Sequence, residues 1–379
     1  MSKLLAVLFA VTVLAVVVAA KRPTHRELDH YTFDKYIRDF RKGHIAGTHE
    51  YGMRKALFDT ELNVVRAHNA DKTKTWKKGV NMFSDWTLAE KRTRLYGFNF
   101  GVYQRAETKP QRVHRVGSMA NVPNSVDYRL TVPAILTAVK DQGMCGSCWA
   151  HAATETIETA WAQATGQLYV LSQQQITSCT PNPDECGGTG GCFGAIAELA
   201  IDFVTSAGGI VQEWSDPYLS YYGTTPKCSY WQNLTVVRTT GYTSVSHNDA
   251  SAVKHALATA GPLAVSVDAS EWSNYEGGIY SGCDYSKNIS MDHAVQAVGY
   301  GTDFDTGLDY WIIRNSWSPG WGEHGFIRLL RSKTGESCGW NVNPQNGNGC
   351  KGQTAPQWAC GMCGVAFDTL YANADTPSN

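Results

Sequence analysis

The eleven cysteines of this 379-residue chain constrain its fold more than any other feature. All of them lie between Cys145 and Cys363, and the first 144 residues contain none. Cysteines at this density are typical of proteins that fold in an oxidising compartment, where thiols are joined in pairs. Because the number is odd, at least one cysteine stays outside any set of intramolecular disulfides. That thiol is a candidate for chemistry.

The N-terminal stretch begins with an apolar run. Residues 4–20 are almost wholly apolar, follow Lys3, end in small residues and give way to the charged pair Lys21 and Arg22. This pattern predicts a signal peptide over residues 1–20. A membrane anchor is the alternative, but it needs about 20 apolar residues. Because the run is shorter and no second one of this length occurs, we expect a soluble protein of the secretory pathway without a stable membrane anchor.

Charge divides the rest of the chain into two parts of opposite sign. Residues 21–120 contain 21 Lys and Arg against 11 Asp and Glu, a net charge of +10, whereas residues 121–379 contain 11 against 23, a net charge of −12. Basic segments often bind nucleic acid, but these charges are scattered and form no dense cluster or binding motif. We therefore expect no nucleic-acid partner. Complementarity between the two parts is the simpler interpretation.

Helical periodicity dominates the basic part. One set of residues recurs at spacings of three and four, as on one face of a helix: Tyr31, Phe33, Tyr36, Ile37 and Phe40. A second set forms a stripe along one long helix: Glu50, Arg54, Phe58, Val65 and Asn69. Further on, residues 79–85 read Gly-Val-Asn-Met-Phe-Ser-Asp. From Tyr103 to Ala120 the periodicity is lost, which predicts an exposed linker that a protease can cleave.

The segment from Gln142 to Trp149 carries the strongest chemical signal, because it reads Gln-Gly-Met-Cys-Gly-Ser-Cys-Trp. Beyond Trp149, apolar residues recur at helical spacing as far as Gly166, so Cys148 is predicted to lie at a helix N-terminus. Backbone N–H groups and the macrodipole at that end favour an anion, which lowers the thiol pKa below its free value of about 8.5. The thiolate is the nucleophilic form of cysteine.

The spacing of Cys145 and Cys148 also suits a redox dithiol or half of a zinc site. Zinc is disfavoured because the sequence contains no matching Cys or His pair at ligand spacing. A redox motif is disfavoured by the flanking Gln-Gly and Trp and by the lack of a preceding strand-like apolar run. We therefore expect no metal site here and favour a catalytic thiol.

A histidine far downstream can serve as the partner of this thiol. His293 lies 145 residues after Cys148 (293 minus 148) and opens an alternating apolar run, which predicts a half-buried strand. Asn315 and Trp317 follow within Trp-Ile-Ile-Arg-Asn-Ser-Trp, residues 311–317.

Together these segments resemble the papain family of cysteine proteases, and its cathepsin L-like members in particular. The residues around Cys148, His293 and Asn315 match the family's nucleophile, histidine and asparagine motifs. The long-helix stripe and residues 79–85 resemble the two pro-segment motifs, with Glu61 where the family has Asn. The resemblance implies an α+β papain-like fold, with a helical domain and a β-barrel-like domain on either side of a cleft, preceded by a helical pro-segment.

The resemblance also implies the catalytic roles. Cys148 attacks a peptide carbonyl, and His293 acts as its acid and base. Asn315 orients the imidazole ring, Gln142 donates to the oxyanion together with the Cys148 N–H, and Trp317 shields the His–Asn hydrogen bond. Such an enzyme is a cysteine endopeptidase that cleaves protein or peptide substrates and needs no metal or cofactor.

The same resemblance divides the chain into a signal peptide (1–20), an inhibitory pro-segment (21–120) and a catalytic domain (121–379). The pro-segment is expected to block the cleft as an intramolecular inhibitor and, given its opposite charge, to be released at low pH. We expect a monomer in a lysosome- or vacuole-like compartment or outside the cell. Sequons at Asn233 and Asn288 are candidate glycosylation sites.

Disulfides and substrate contacts also follow from the resemblance. The implied bonds are Cys145–Cys192, Cys179–Cys228 and Cys283–Cys363. Four further cysteines allow three pairings, and three of these four lie in or beside an insertion, residues 333–359, with no evident function: Cys186, Cys338, Cys350 and Cys360. The residues expected to line the substrate groove are Gly194, Ala195, Met291, Ala294, Trp317 and Asp368. An acid at position 368 would admit Arg or Lys beside apolar side chains, although it could equally be a surface capping residue.

Three alternatives remain open at the level of the sequence. A catalytically silent, matrix-binding relative would keep the fold, although such proteins usually lack the nucleophile that Cys148 supplies. A dithiol oxidoreductase would need Cys145 as a free thiol, so a Cys145–Cys192 bond would exclude it. Transfer of the acyl group to an amine instead of water is a third possibility.

Overall fold

The computed structural model describes residues 22–96 and 112–376. The predicted signal peptide and the first half of the predicted linker, residues 103–111, lie outside these ranges. Within them, none of the helices has the length and apolar character that crossing a membrane requires.

Helices dominate the N-terminal part, and strands dominate the C-terminal half. The α-helices are α1 (His25–Leu28), α2 (Phe33–Asp39), α3 (His49–Ala70), α4 (Leu88–Arg94), α5 (Cys148–Thr165), α6 (Gln173–Cys179), α7 (Ala197–Ser206) and α8 (Ala250–Thr259). The strands are β1 (Trp76–Lys78), β2 (Val126–Asp127), β3 (Ile210–Val211), β4 (Thr235–Val237), β5 (Thr239–Ser244), β6 (Leu263–Val267), β7 (Tyr275–Tyr280), β8 (His293–Thr302), β9 (Asp309–Arg314), β10 (Phe326–Arg331), β11 (Cys338–Asn341), β12 (Gln357–Cys360) and β13 (Thr369–Ala374).

Both periodic stretches of the pro-segment are helical, as predicted. Helix α2 begins one residue after Thr32, whose hydroxyl accepts a hydrogen bond from the Lys35 N–H, which is how a threonine caps a helix. Helix α3 has 22 residues and buries Phe58 and Val65. Two positions of its polar stripe make contacts elsewhere in the pro-segment. Arg54 binds Glu90 through two hydrogen bonds of 2.6 Å, and Asn69 donates to the Lys78 carbonyl at 2.7 Å.

A buried carboxylate lies at the centre of the pro-segment. Asp85, the last residue of the 79–85 motif, is 1% exposed. It accepts hydrogen bonds from Lys42 Nζ at 2.9 Å and Tyr36 Oη at 2.9 Å, and it pairs with His44 Nε2 at 2.6 Å. A buried charge is tolerated when it is paired and hydrogen-bonded in this way. The motif therefore works as a polar core of the pro-segment.

The helical domain of the catalytic part is built around α5. This helix is buried along most of its length, packs against α6 and α7, and ends at Gly166. Gly166 has a left-handed backbone (φ 72°), which glycine adopts without steric cost. Because α5 also packs against β8 and β13, it lies between the two domains and brings its first residue to their boundary.

The second domain is a nine-stranded sheet with the order β1-β7-β10-β9-β8-β6-β13-β5, in which β2 also pairs with β8. The register places His293, the first residue of β8, opposite Val267 at the end of β6. The α+β, papain-like fold class predicted from the sequence is confirmed.

The strand β1 was not predicted. It belongs to the pro-segment, yet it extends the sheet of the catalytic domain by pairing antiparallel with β7, with Trp76 opposite Gly278. A side chain at position 278 would place its Cβ 2.6 Å from the Thr75 carbonyl oxygen, so a glycine is needed there. A three-residue strand has too few residues for a period to be recognised.

The structure contains the three disulfides that the resemblance implies: Cys145–Cys192, Cys179–Cys228 and Cys283–Cys363. It pairs the remaining four as Cys186–Cys350 and Cys338–Cys360. All eleven cysteines are described, and Cys148 is the one outside a disulfide. Because Cys145 is bonded, the structure does not support a dithiol oxidoreductase.

Candidate active site

The thiol of Cys148 lies where the sequence places it. Cys148 is the first residue of α5 and is fully buried. It shares a core cluster with Ala294, the residue that follows His293 in β8. The packing of α5 against β8 therefore brings the helix that begins at Cys148 against the strand that begins at His293, 145 positions further along the chain (293 minus 148).

The imidazole of His293 is oriented by an amide. Its Nε2 lies 2.8 Å from Asn315 Oδ1, and that oxygen also accepts from the Ser316 N–H at 2.8 Å. Since a carbonyl oxygen can only accept, Nε2 carries the proton. The other ring nitrogen, Nδ1, is buried without a hydrogen-bond partner in the part of the chain that the structure describes. It is the nitrogen left to exchange a proton with the thiol.

Trp317 covers this pair. Its ring centroid lies 4.8 Å from that of His293, and Phe83 of the pro-segment packs against the indole at 6.0 Å. Burial lowers the pKa of His293 to about 4, and the hydrogen bond to Asn315 opposes that shift in part. The ring is therefore neutral above about pH 4 while the cleft is covered. The protonated ring expected beside a thiolate needs either hydration of the cleft or the charge of the thiolate itself.

Gln142 is held in place from both ends of its amide. Its Oε1 accepts from Ser316 Oγ at 2.6 Å, and its Nε2 donates to the carbonyl oxygens of Cys145 and Leu95, each at 3.0 Å. Leu95 belongs to the pro-segment. A pro-segment carbonyl thus occupies the donor that the sequence assigns to the oxyanion.

Most of the residues predicted to line the substrate groove are buried in the proform. Ala195 and Met291 are fully buried, and Ala294 is 4% exposed. Gly194 has a left-handed backbone (φ 91°), and its carbonyl accepts from the Gly190 N–H at 2.7 Å. Asp368 lines a cavity of about 320 Å³, together with Ile196 and Asn348. It is no helix cap, so the alternative that the sequence left open for Asp368 does not apply.

Sequence reasoning missed several residues that shape the site. Ser316, next to the predicted Asn315, orients Gln142. Tyr96 of the pro-segment packs against Trp317, and its hydroxyl donates to the Ser270 carbonyl at 3.0 Å. Neither residue has a local signal, because each role depends on a partner distant in sequence.

This geometry defines the class of a cysteine protease held in a latent form, since a carbonyl of the chain's own pro-segment sits on the oxyanion donor. Comparison with known families places the chain more closely. Residues 122–347 match the papain family cysteine protease, and residues 33–90 match the cathepsin propeptide inhibitor domain (I29). The chain belongs to the papain family and is the proform of a cysteine protease.

Individual relatives agree with this assignment. The oryzain beta chain of Oryza sativa subsp. japonica is 37% identical over 345 residues, which cover 88% of this chain and 65% of the rice protein. Cathepsin L of Sarcophaga peregrina is 32% identical over 340 residues, covering 87% of this chain and 96% of that protein. Among solved structures, digestive procathepsin L 3 of the Tenebrio molitor larval midgut has a TM-score of 0.70 at 27% identity, covering 90% of this chain and 97% of that chain.

Proposed function

We propose that the mature enzyme hydrolyses peptide bonds with Cys148 as nucleophile and His293 as acid and base. The thiolate attacks the carbonyl, the oxyanion accepts from Gln142 Nε2 and the Cys148 N–H, and His293 protonates the leaving amine. Water activated by the same ring then releases the acyl group. The observation that carries this proposal is the contact between Leu95 and Gln142, because it shows a peptide carbonyl bound by the proposed oxyanion donor.

The same contact supports the pro-segment as an intramolecular inhibitor. Tyr96 and Phe83 pack against Trp317, and strand β1 extends the sheet of the catalytic domain. Asn81 donates to the Ser273 carbonyl at 2.6 Å. These contacts hold the pro-segment across the cleft from both sides of the catalytic centre. The boundary near residue 120 and the removal of residues 1–20 remain predictions.

We also propose that acid releases the pro-segment, although by a route other than attraction between net charges. His25 faces Glu276 across the interface at 3.3 Å. Burial outweighs the attraction of His25 and raises the Glu276 pKa. The raised pKa means that Glu276 binds a proton more tightly while the pro-segment is bound. Acidification therefore favours this contact. This contact therefore does not supply the proposed acid sensitivity.

One acid-sensitive group lies in the linker. His114 Nε2 lies 2.8 Å from His255 Nδ1, and His114 Nδ1 lies 3.2 Å from the Tyr371 hydroxyl. Burial, and to a lesser degree His255, lower the His114 pKa below its ordinary value of 6.5. A released linker would bind the proton more tightly. The linker's attachment is therefore strong above about pH 6.5 and weakens as the pH falls below that value.

The remaining features of the enzyme rest on the family and on single residues. Asp368 lines a cavity of about 320 Å³, and its carboxylate supports the acceptance of Arg or Lys at the second position upstream of the scissile bond. Asn233 and Asn288 are exposed, as glycosylation would require. We propose a monomer in the secretory pathway, in a lysosome- or vacuole-like compartment or outside the cell.

Labelling with an epoxide thiol inhibitor tests the catalytic assignment. The full chain is matured at low pH, labelled and digested, and mass spectrometry locates the label. We expect one label per molecule on Cys148 and none in Cys148→Ala that has been matured by added wild-type enzyme and repurified. A label on any other residue, or hydrolysis that persists in Cys148→Ala, would contradict the proposal.

A further inference from the structure

The insertion that carries Cys338 and Cys350 forms a hairpin beside the cleft. Strands β11 and β12 pair along their length, and the Cys338–Cys360 disulfide closes their base. The segment between them, residues 342–356, leaves this hairpin and contacts both walls of the cleft.

On the sheet-domain side, the segment lies directly against Met291. A Cβ at Gly347 would come within 2.5 Å of the Met291 carbonyl oxygen, so a side chain could not be accommodated there. The Ser290 hydroxyl donates to the Asn346 carbonyl at 3.4 Å. The segment thus packs two residues away from the catalytic His293.

On the helical-domain side, the same segment is bonded to the loop before the groove. Cys350 forms a disulfide with Cys186, and the Gly187 N–H donates to the Gly349 carbonyl at 3.0 Å. Lys351 pairs with Glu185 at 3.2 Å. Residues 347–350 therefore cross from one wall to the other, and a covalent bond fixes the crossing.

Asn348 lies in the middle of this crossing and contacts Asp368. Its Nδ2 donates to Asp368 Oδ2 at 2.8 Å, and Ser266 Oγ donates to the same oxygen at 2.7 Å. Asn348 and Asp368 both line the 320 Å³ cavity, together with Ile196. The Oδ1 of Asn348 is buried and has no hydrogen-bond donor within residues 22–96 and 112–376.

Asn348 and Asp368 line one cavity, and a ligand with several donors would satisfy the acceptors of both side chains. The carboxylate of Asp368 supplies the charge, and its Oδ1 takes no part in the two hydrogen bonds above. The Asn348 amide supplies a second, neutral acceptor nearby. A guanidinium carries five donors in a planar fork and can reach two acceptors at once, whereas an ammonium is a compact point charge.

We propose that Asn348 is a specificity-determining residue that, together with Asp368, selects arginine over lysine at the second position upstream of the scissile bond. The Cys186–Cys350 disulfide holds it in place. This inference rests on the proposed role of Asp368 and adds a second residue, contributed by the insertion, to that subsite.

The test compares fluorogenic dipeptide substrates with Arg, Lys or Leu at that position and a constant residue at the scissile bond. Active sites of each acid-matured enzyme are counted by epoxide titration, so that misfolded protein does not affect kcat/KM. For Asn348→Ala we expect about a tenfold loss of kcat/KM on the Arg substrate, the scale of one hydrogen bond to a charged group. The loss on the Lys substrate should be smaller, and activity on the Leu substrate should stay within about twofold.

Two further variants complete the experiment. Asn343→Ala, an exposed asparagine of the same segment, is the matched control and should leave all three substrates unchanged. The double variant Cys186→Ala/Cys350→Ala should lower the ratio of kcat/KM on the Arg substrate to that on the Leu substrate, as Asn348→Ala does. It removes the covalent bond that fixes residues 347–350.

The outcomes separate the two proposals. If Asp368→Ala abolishes the preference for basic residues while Asn348→Ala leaves the Arg-to-Lys ratio unchanged, the inference about Asn348 is wrong and the role of Asp368 stands. If Asp368→Ala does not change the preference, the proposed role of Asp368 is wrong, and the inference that rests on it fails as well.

Discussion

The pro-segment and the catalytic domain bury carboxylates in opposite ways. In the pro-segment, the pKa of Glu90 is lowered to about 2, first by its hydrogen bonds to Arg54. In the catalytic domain, Glu155 lies fully buried beside Arg314 at 3.2 Å, and desolvation raises its pKa to about 7 in spite of that partner. A carboxyl group whose pKa is lowered on folding makes the folded state less stable in acid. A carboxyl group whose pKa is raised on folding makes the folded state more stable in acid than at neutral pH.

The covalent bonds follow the same division. The five disulfides lie in the catalytic domain, where they cross-link both domains and the insertion. The cysteine-free pro-segment is held instead by an aromatic-rich hydrophobic core and by the ion pairs around Asp85 and Glu90. The inhibitor and the enzyme are thus held together by different interactions, and the acid release proposed above would act on the inhibitor and spare the enzyme.

Removing the buried carboxylate of the pro-segment should have the largest effect. Asp85→Ala leaves Lys42, His44 and Tyr36 without their common partner, and breaking a buried pair in this way costs about 3–5 kcal/mol. We expect the pro-segment to melt separately at a much lower temperature and the chain to mature at neutral pH. Asp59→Ala, which breaks the exposed pair with Lys55, is the control and should cost less than about 1 kcal/mol. Unchanged melting of the Asp85 variant would mean that its cluster is not the core of the inhibitor.

Gln142→Ala should show the reverse pattern. The activity of the enzyme should fall, and the melting temperature of the pro-segment should change little. Loss of one oxyanion donor lowers kcat by about 10²–10³-fold. The pro-segment loses the hydrogen bond that its Leu95 carbonyl accepts from Gln142 Nε2 and keeps its own ion pairs, so its melting transition should move little. Stopped-assay kinetics on titrated active sites and calorimetry of the proform test both halves. A variant with normal kcat would remove Gln142 from the mechanism.

The smallest expected effect is a pH-dependent difference between the melting temperatures of the pro-segment and of the catalytic domain. The contribution of Glu90 is present above pH 4.5 and is lost as the pH falls toward about 2. The contribution of Glu155 is present below pH 4.5 and is lost as the pH rises through about 7. Because Glu90 is partly exposed, its effect is on the order of 1 kcal/mol. In Glu90→Gln, the melting temperature of the pro-segment should fall less steeply as the pH is lowered, while that of the catalytic domain should not change. Equal shifts of both melting temperatures would contradict the opposite roles given to Glu90 and Glu155.

Much of the catalytic centre could be predicted, because its signals are local. The residues from Gln142 to Trp149 form one motif followed by a helical period, so the position of Cys148 at the start of α5 follows from nearest neighbours. His293 opens a strand, as predicted, but nine of the ten residues of β8 are buried, so the half-buried strand predicted from the alternation is wrong. The long-helix stripe of the pro-segment also has a local signal, and α3 contains all five of its residues.

The parts that escaped prediction depend on contacts between distant segments. The opposite net charges predict that acid weakens the interface. Protonation of Glu276 instead favours its contact at that interface, because burial raises the Glu276 pKa. The insertion has no period and no turn signature that would place Asn348 next to Asp368, twenty residues further on. Its disulfide partner Cys186 lies 164 residues away, so the pairing could only be left open.

The sequence by itself determined the helix that begins at Cys148 and the long helix of the pro-segment, since spacing along the chain sets which side chains share a helix face. The resemblance of its motifs to the papain family added the candidate partner His293 and the expectation of an inhibitory pro-segment. Only the tertiary structure decided which carbonyl binds Gln142, which cysteines join the insertion to the helical domain and which amide faces Asp368. Those contacts join segments far apart in the chain, and their geometry arises only when the two domains pack, because burial and distance are properties of the folded state.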